Sequence, residues 1–281
     1  MKINYKILTI VPIILTLLSA IFVAVHGIPK SIDVVGGTEI TIKAPKDTNI
    51  EQLKEILKNA EVKKLESQSG TFIVIRVDKN TNIDEVRKVL KEFFGVDDLS
   101  KLDYGEKQIG PSLSEKFWEE GIKAVGFAFL FMAAVVYFVF RNPIPSGAVI
   151  LAALSDIILA LGGMSLFSIP LSTATIAALL MLIGYSVDTD IMLTTRVLKR
   201  KSDGLDERIK DAMKTGITMS VTTIVAMMVL YLVVTFFVPV AETLKNIAAV
   251  LLIGLIADLM TTWLTNAGIL RYYISEYRKE K

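Results

Sequence analysis

Five charged residues interrupt apolar stretches of this sequence and are its first candidates for chemistry. Asp156 lies within ALSDIILALGG, and Asp258 follows another apolar run. Between them, the segment GYSVDTDIMLTTRV carries Asp188, Asp190 and Arg196. A charged side chain at the centre of a membrane helix costs roughly 2.5–3.5 kcal/mol on insertion scales. Such residues therefore need a pairing or functional role, and proton or ion coupling is the chemistry they would supply.

Hydroxyl groups accompany these charges at helical spacing. One set shares a helical face, with Thr223 beside it: Thr215, Thr218 and Thr222. Asp258 is followed at offsets of 3, 4, 7 and 8 by Thr261, Thr262, Thr265 and Asn266, again on one face. If four such helices pack together, their polar stripes meet in a hydrated seam, which we expect toward the cytoplasmic half.

Simpler readings stand beside this one. Serine and threonine commonly serve membrane helices as packing and hydrogen-bonding residues. Arg196 could be only the first member of a basic cluster. Asp188 and Asp190 are two residues apart and point in different directions on a helix, so at most one of them faces the seam fully. Asp156 and Asp258 are the hardest to explain without a partner or a function.

Membrane helices are the elements that must position these residues. Apolar residues make up 52% of the 281 residues, and the mean hydropathy is +0.53, which is too high for an ordinary soluble domain. A hydrocarbon core of ~30 Å requires about 20 residues per helix. Candidate spans cover residues 7–25, 121–140, 147–167, 173–194, 216–237 and 246–269. We expect an α-helical polytopic protein whose first span is a retained anchor rather than a signal peptide.

Composition excludes several functions. The absence of cysteine removes disulfides, thiol catalysis and cysteine-ligated metals. The single histidine, His26, lies at the end of the first span, as an interfacial residue would. A net charge of +2 gives no reason to expect a nucleic-acid partner. We expect no enzyme activity, cofactor or metal.

About 90 residues between the first two spans have a different, highly charged composition. The segments EITIKA, VKKLESQ, TFIVIRV and SKLDYGEKQI read as strands, with a turn at Ser69-Gly70. NIEQLKEILKNA, capped by Asp47 or Thr48, and NIDEVRKVLKEFFG, ending on Gly95, read as amphipathic helices. The order β-α-β-β-α-β predicts a small ferredoxin-like α+β domain. We divide the chain into helix 1 (1–26), this domain (27–117) and a five-helix membrane domain with a tail (118–281).

Basic residues in the short loops predict the orientation. With six crossings they fall on one side: Lys2, Lys6, Arg141, Arg196, Lys199, Arg200, Lys201, Arg208, Lys210, Lys214, Arg271, Arg278, Lys279 and Lys281. The opposite short loops contain only Lys245. We therefore expect both termini in the cytoplasm and the α+β domain outside.

Five segments in order resemble the SecF family of protein-export membrane proteins, over nearly the whole chain. They are IDVVGGT (32–38), IGPSLSEKF (109–117), ALSDIILALGG (153–163), IAALLMLIGYSVDTD (176–190) and TGITMSVTT (215–223). The chain departs from the bacterial pattern after Gly-Tyr-Ser. The acidic positions shift, and Thr195 stands where an acid precedes the arginine. These departures resemble the archaeal branch.

The resemblance implies an auxiliary subunit in the cytoplasmic membrane that works with a SecD-like subunit, the Sec channel, unfolded polypeptide and lipid. Asp156 and Arg196 would carry proton-motive-force coupling, with Asp188, Asp190 and Asp258 assisting. The alternative is half of a resistance–nodulation–division exporter of small molecules or lipids, a class related in fold. An intramembrane aspartyl protease fails on motif, because GYSVD is not Gly-x-Gly-Asp.

Overall fold

A computed structural model describes residues 5–58, 60–68, 70–199 and 204–277. The turn residue Ser69 lies outside the described residues. So do six of the basic residues that predict the orientation: Lys2, Arg200, Lys201, Arg278, Lys279 and Lys281.

Within the described residues, six helices are long and apolar enough to cross a membrane, which confirms the expected number. They are α1 (Tyr5–His26), α5 (Pro111–Phe140), α6 (Pro143–Leu166), α7 (Thr173–Lys199), α8 (Leu205–Phe237) and α9 (Glu242–Met260). The last span continues through a π-helical turn (Thr261–Asn266), α10 (Ala267–Tyr272) and a second π turn (Tyr273–Tyr277). Several helices extend beyond the predicted spans. Proline at the first position, where no N–H is needed, starts α5 and α6.

Helices α6, α7 and α9 form the centre of the bundle, and α1, α5 and α8 lie around them with most of their surface exposed. Glycines allow the close approaches. Gly254 of α9 faces Leu182 of α7, and Gly163 of α6 faces Ile253 of α9, in both cases without room for a β-carbon. Small residues at such contacts are typical of membrane helix packing.

The α+β domain is a four-stranded antiparallel sheet with two helices on one face. Its elements are β1 (Gly37–Ala44), α3 (Ile50–Ile56), β2 (Ala60–Ser67), β3 (Gly70–Asp78), α4 (Ile83–Phe94) and β4 (Gly105–Ile109). The spatial order β2-β3-β1-β4 confirms the ferredoxin-like split unit. Alternate residues of β1 and β3, such as Ile40, Ile42 and Ile75, are fully buried against the helices. We call residues 32–109 the sheet domain.

Local details differ from expectation at three places. Asn49, not Asp47 or Thr48, caps α3, because its side chain accepts the N–H groups of the first helical turn. A short helix, α2 (Ile32–Val35), forms within the Asp-x-x-Gly-Gly segment, and a 3₁₀ turn (Leu99–Leu102) precedes β4. Gly95 ends α4 in the left-handed conformation at φ 64°, as expected.

The sheet domain is docked on the helix bundle by an ion cluster around Arg76 of β3. The guanidinium donates to Glu39 of β1 at 2.6 Å and to Glu242, the first residue of α9, and Glu61 of β2 lies 3.7 Å away. Burial opposes the charge, but the carboxylates of Glu242 and Glu39 raise the pKa of Arg76 above its ordinary value. The Arg76 guanidinium therefore stays charged at any physiological pH.

Backbone contacts add to this docking. The chain just after α1 runs beside the loop between α6 and α7, where the Ser31 N–H donates to the Leu171 carbonyl at 2.9 Å. The Leu171 N–H donates in turn to the Pro29 carbonyl at 2.7 Å. At the hairpin of β2 and β3, the Gln68 N–H reaches the Phe236 carbonyl at the end of α8. The sheet domain and the segment that leads into it thus bond to the α6–α7 loop and to the end of α8.

Candidate functional site

Three of the predicted aspartates meet inside the bundle, one from each central helix. Asp156 comes from α6, Asp190 from α7 and Asp258 from α9, and none has any exposed surface. We call these residues and the hydroxyl and amide groups bonded to them the carboxylate cluster. Carboxylates are among the groups least often buried, so three together mark a site rather than ordinary packing.

Asp156 is held by hydroxyl groups from two neighbouring helices. One carboxylate oxygen accepts a hydrogen bond from Ser186 of α7 at 2.6 Å. The other accepts from Thr261, in the π turn after α9, at 2.5 Å. Both donors are fully buried. These two bonds join α6 to α7 and to the last span.

Asp190 and Asp258 share a single hydroxyl group. The Thr262 oxygen lies 2.9 Å from Asp190 Oδ1 and 3.1 Å from Asp258 Oδ1. Asn266 adds an amide donor to Asp190 at 2.7 Å. A threonine hydroxyl has one hydrogen to donate. The hydroxyl forms a full two-centre hydrogen bond with each carboxyl group at the same time only if one of those groups carries a proton and donates it to the hydroxyl oxygen; otherwise the two acceptors share one hydrogen.

The cluster has further hydrogen-bonding capacity. Three buried oxygens of the cluster have no hydrogen-bond partner within the described part of the chain: Asp190 Oδ2, Asp258 Oδ2 and Asn266 Oδ1. Buried polar atoms are nearly always satisfied in folded proteins. The carboxylate cluster therefore has polar atoms that the described side chains leave unused.

A π-helical turn brings the last span into the cluster. The Ala267 N–H donates to the Thr262 carbonyl five residues earlier, where an α-helix would use the residue four earlier. The turn carries four buried polar residues inward: Thr261, Thr262, Thr265 and Asn266. Such turns are frequent at functional sites.

The structure places the other predicted site residues outside the cluster. Asp188 is exposed on α7, which agrees with the expectation that only one of the pair Asp188 and Asp190 turns inward. Arg196 is half-buried near the far end of α7 and donates to the Asp211 carbonyl and the Thr215 hydroxyl of α8, each at 2.9 Å. Within the described residues it forms no bond with the three aspartates. Arg196 and Asp156 therefore do not pair in this structure.

Two members of the predicted polar stripe of α8 do not face the other helices of this chain. Thr218 and Thr222 are exposed, and each hydroxyl returns to a carbonyl of its own helix at 2.8 Å. The buried face of α8 is the line Ala212, Gly216 and Ser220, because Gly216 is where the Trp263 ring packs. Thr218 and Thr222 follow the glycine and the serine by two residues, roughly 200° around the helix. Only Thr215 of this stripe makes a contact between helices.

Sequence reasoning gave no role to Ser186, which completes the shell of Asp156. Its signal was present, since Ser186 precedes Asp190 by four residues and so shares its helical face. Among the described residues, no group of three or more His, Cys, Asp or Glu side chains has an arrangement that could hold a metal ion.

The family model described as "Protein export membrane protein SecD/SecF, C-terminal" matches residues 88–276. The chain is 62% identical over 279 residues to the protein-export membrane protein SecF of Methanocaldococcus jannaschii, covering 99% of both chains. It is 46% identical over 285 residues to SecF of Methanothermobacter thermautotrophicus, covering 96% of this chain and 93% of the relative.

Two crystal structures resemble the fold. One is SecDF, a translocon-associated membrane protein from Thermus thermophilus, with a TM-score of 0.79 and 22% identity over 97% of this chain. The other is SecDF in a super-membrane-facing form, with a TM-score of 0.65 and 21% identity over 98% of this chain. The chain spans only 38% and 39% of those SecDF chains.

Proposed function

The chain belongs to the SecF family of protein-export membrane proteins, and from that premise we propose that it couples the proton motive force to polypeptide export through the carboxylate cluster. It acts as an auxiliary subunit in the cytoplasmic membrane beside a SecD-like subunit and the Sec channel. The observation that carries the proposal is the sharing of Thr262 by Asp190 and Asp258, because the number of bonds in the cluster depends on its protons.

Coupling requires that a proton change the packing of helices. Asp156 binds α7 and the last span, while Asp190 binds only the last span, so adding or removing a proton alters bonds across all three central helices. One elementary charge crossing a potential of 100 mV releases about 2.3 kcal/mol. That energy shifts a two-state equilibrium about fiftyfold, which is enough to bias the positions of the helices and of the domain docked on them.

The experiment compares Asp156→Asn with Asp188→Asn. Both changes remove one carboxylate from the membrane region, but only the first lies in the carboxylate cluster. Export of a secreted reporter is measured in cells that depend on this subunit, with and without an uncoupler. We expect Asp156→Asn to assemble with its partner and to lose the uncoupler-sensitive part of export, while Asp188→Asn retains it.

Two results would contradict this assignment. Uncoupler-sensitive export at the wild-type rate in Asp156→Asn would show that this carboxylate does not couple the proton motive force to export. Asp258→Asn would then be tested in the same way. Failure of Asp156→Asn to assemble would make the residue a structural pairing group.

The proposed orientation places both termini in the cytoplasm and the sheet domain outside. The cysteine-free sequence allows a direct test with single cysteines at Ser67, in the hairpin of the sheet domain, and at Ser275, near the end of the last span. A membrane-impermeant maleimide added to intact cells should label Ser67→Cys only. Labelling of both from outside would contradict the orientation.

The partners are tested by copurification. A tagged chain should bring down a SecD-like chain and the Sec channel from native membranes. The alternative, half of a resistance–nodulation–division exporter, is not favoured, because relatives at 62% and 46% identity are named for protein export. An exporter would copurify without the channel.

A further inference from the structure

A cleft of about 410 Å³ lies between the sheet domain and the bundle. Lys63 of β2 forms its wall on the sheet side. The other walls come from the end of α6 and the loop after it, from Tyr231 of α8 and from the first three turns of α9. Val62 points into the domain core, so the neighbouring Lys63 points to the opposite face of the sheet, toward the bundle. Docking of the sheet domain therefore completes one wall of the cleft.

The lining changes from charged to apolar along α9. Glu242 and Lys245 stand at its start, and Ala249 and Ile253 line the cleft seven and eleven residues further on. At 1.5 Å per residue, these two lie about 10 and 16 Å deeper along the helix than Glu242. The cleft thus runs from the level of the connecting loops into the membrane-spanning part of α9. It is charged at the first end and apolar at the second, as an amphiphilic ligand is.

The charged end favours an anion. The Glu242 carboxylate is occupied by Arg76, whereas the Lys245 ammonium has no carboxylate partner within the described residues and lies 5.8 Å from the Tyr231 ring centroid. Lys63 pairs with Glu61 at 2.7 Å, but both side chains are about half exposed, at 45% and 54%. Exposed pairs of this kind are weak and exchange readily. Lys245 therefore faces the cleft without a carboxylate partner, and Lys63 can exchange its exposed partner Glu61 for an anionic ligand.

We propose that this cleft binds one anionic phospholipid, with its phosphate between Lys63 and Lys245 and the start of an acyl chain against Ala249 and Ile253. A free phosphate would use the lysines and leave the apolar end unfilled. The lipid touches both the sheet domain and α9, so it adds a contact to the docking made by Arg76. This site is separate from the carboxylate cluster and does not depend on the export role.

The test is native mass spectrometry of the full chain, released from nanodiscs of equal parts phosphatidylglycerol and phosphatidylcholine with the same acyl chains. We expect one retained phosphatidylglycerol, preferred roughly 30-fold, as two lysines near a lipid surface would provide. Lys63→Gln/Lys245→Gln should abolish the preference. Ala249→Phe, which fills the apolar end and keeps both lysines, should abolish retention.

The matched control is Lys64→Gln/Lys116→Gln. It removes one positive charge from the sheet domain and one from the start of α5, as the cleft variant does from the sheet domain and the start of α9. It should retain the lipid. If the control loses phosphatidylglycerol to the same extent, the lipid is held only by the general surface charge. Full retention of the lipid in either cleft variant would contradict the proposed site. Inorganic phosphate is the final arm, since displacement of the lipid by millimolar phosphate would show a site for the anion alone. Thermal unfolding of each variant confirms that it is folded.

Discussion

At the scale of single residues, Thr262 connects two members of the carboxylate cluster. Its hydroxyl lies within hydrogen-bonding distance of both Asp190 and Asp258. Thr262→Val keeps the shape of the side chain and removes the donor. We expect a loss of about 1–3 kcal/mol in the free energy of unfolding, because buried acceptors are left unsatisfied. The measurement is reversible unfolding of the full chain in mixed micelles.

The control for this prediction is Thr222→Val on α8, whose exposed hydroxyl bonds only to its own helix at Met219. It should change the unfolding free energy by no more than about 0.5 kcal/mol. Equal effects of the two substitutions would mean that the shared hydroxyl adds nothing to the cluster.

At the scale of elements, helices α1 and α6 approach each other closely at Gly162, which has no side chain. A β-carbon at Gly162 would collide with Ser19 of α1, whose hydroxyl donates to the Ile158 carbonyl of α6 at 2.8 Å. Gly162→Val should therefore push α1 away and cost about 1–3 kcal/mol through overpacking. Gly184→Val on α7 is the matched change, since no atom of the chain would lie within 4 Å of its β-carbon.

Thermal unfolding of both glycine variants in detergent separates the outcomes. Gly184→Val should unfold at or slightly above the wild-type temperature, because glycine is a poor helix former. A normal melting temperature for Gly162→Val would mean that α1 is not packed through this position.

The same elements show what the sequence could predict. Hydropathy located every span, and the alternation in β1 and β3 gave the sheet, since burial leaves a period in the sequence. Helical spacing showed that Thr215, Thr218 and Thr222 share a face, but not which face a neighbouring helix covers. That choice depends on Gly216, where Trp263 of the last span packs. The π turn left no trace, because its residue types also suit an α-helix.

At the scale of the whole molecule, the Arg76 cluster joins the sheet domain to the bundle through one carboxylate. Glu242→Gln should loosen the domain, because Glu39 and Glu61 belong to the sheet domain and cannot hold α9. Spin labels at Lys101 and Met181, both exposed, would report a broader distance distribution than in the wild type. Glu61→Gln removes the same charge from the same cluster without crossing the boundary, and should leave the distribution unchanged.

A narrow distribution in Glu242→Gln would mean that the remaining contacts hold the domain without it, namely the backbone bonds at Leu171 and Phe236 and the bond from Thr173 to Asp33. Broadening in both variants would mean that Arg76 stabilises the sheet rather than the docking.

The π turn at Thr261–Asn266 makes the length of the last span a determinant in its own right. A π turn arises when an α-helix accommodates an inserted residue. Deleting one residue within the turn would let the helix return to α geometry with the residues beyond nearly unmoved, whereas deleting one residue from the regular helix of α9 would rotate every residue beyond by about 100°. After such a deletion in α9, Asn266 would leave Asp190, and Arg271 would leave Asp206, to which it is paired at 2.5 Å. The composition would hardly change, yet the carboxylate cluster would lose its alignment. The last span should therefore be more sensitive to the number of its residues than its composition suggests.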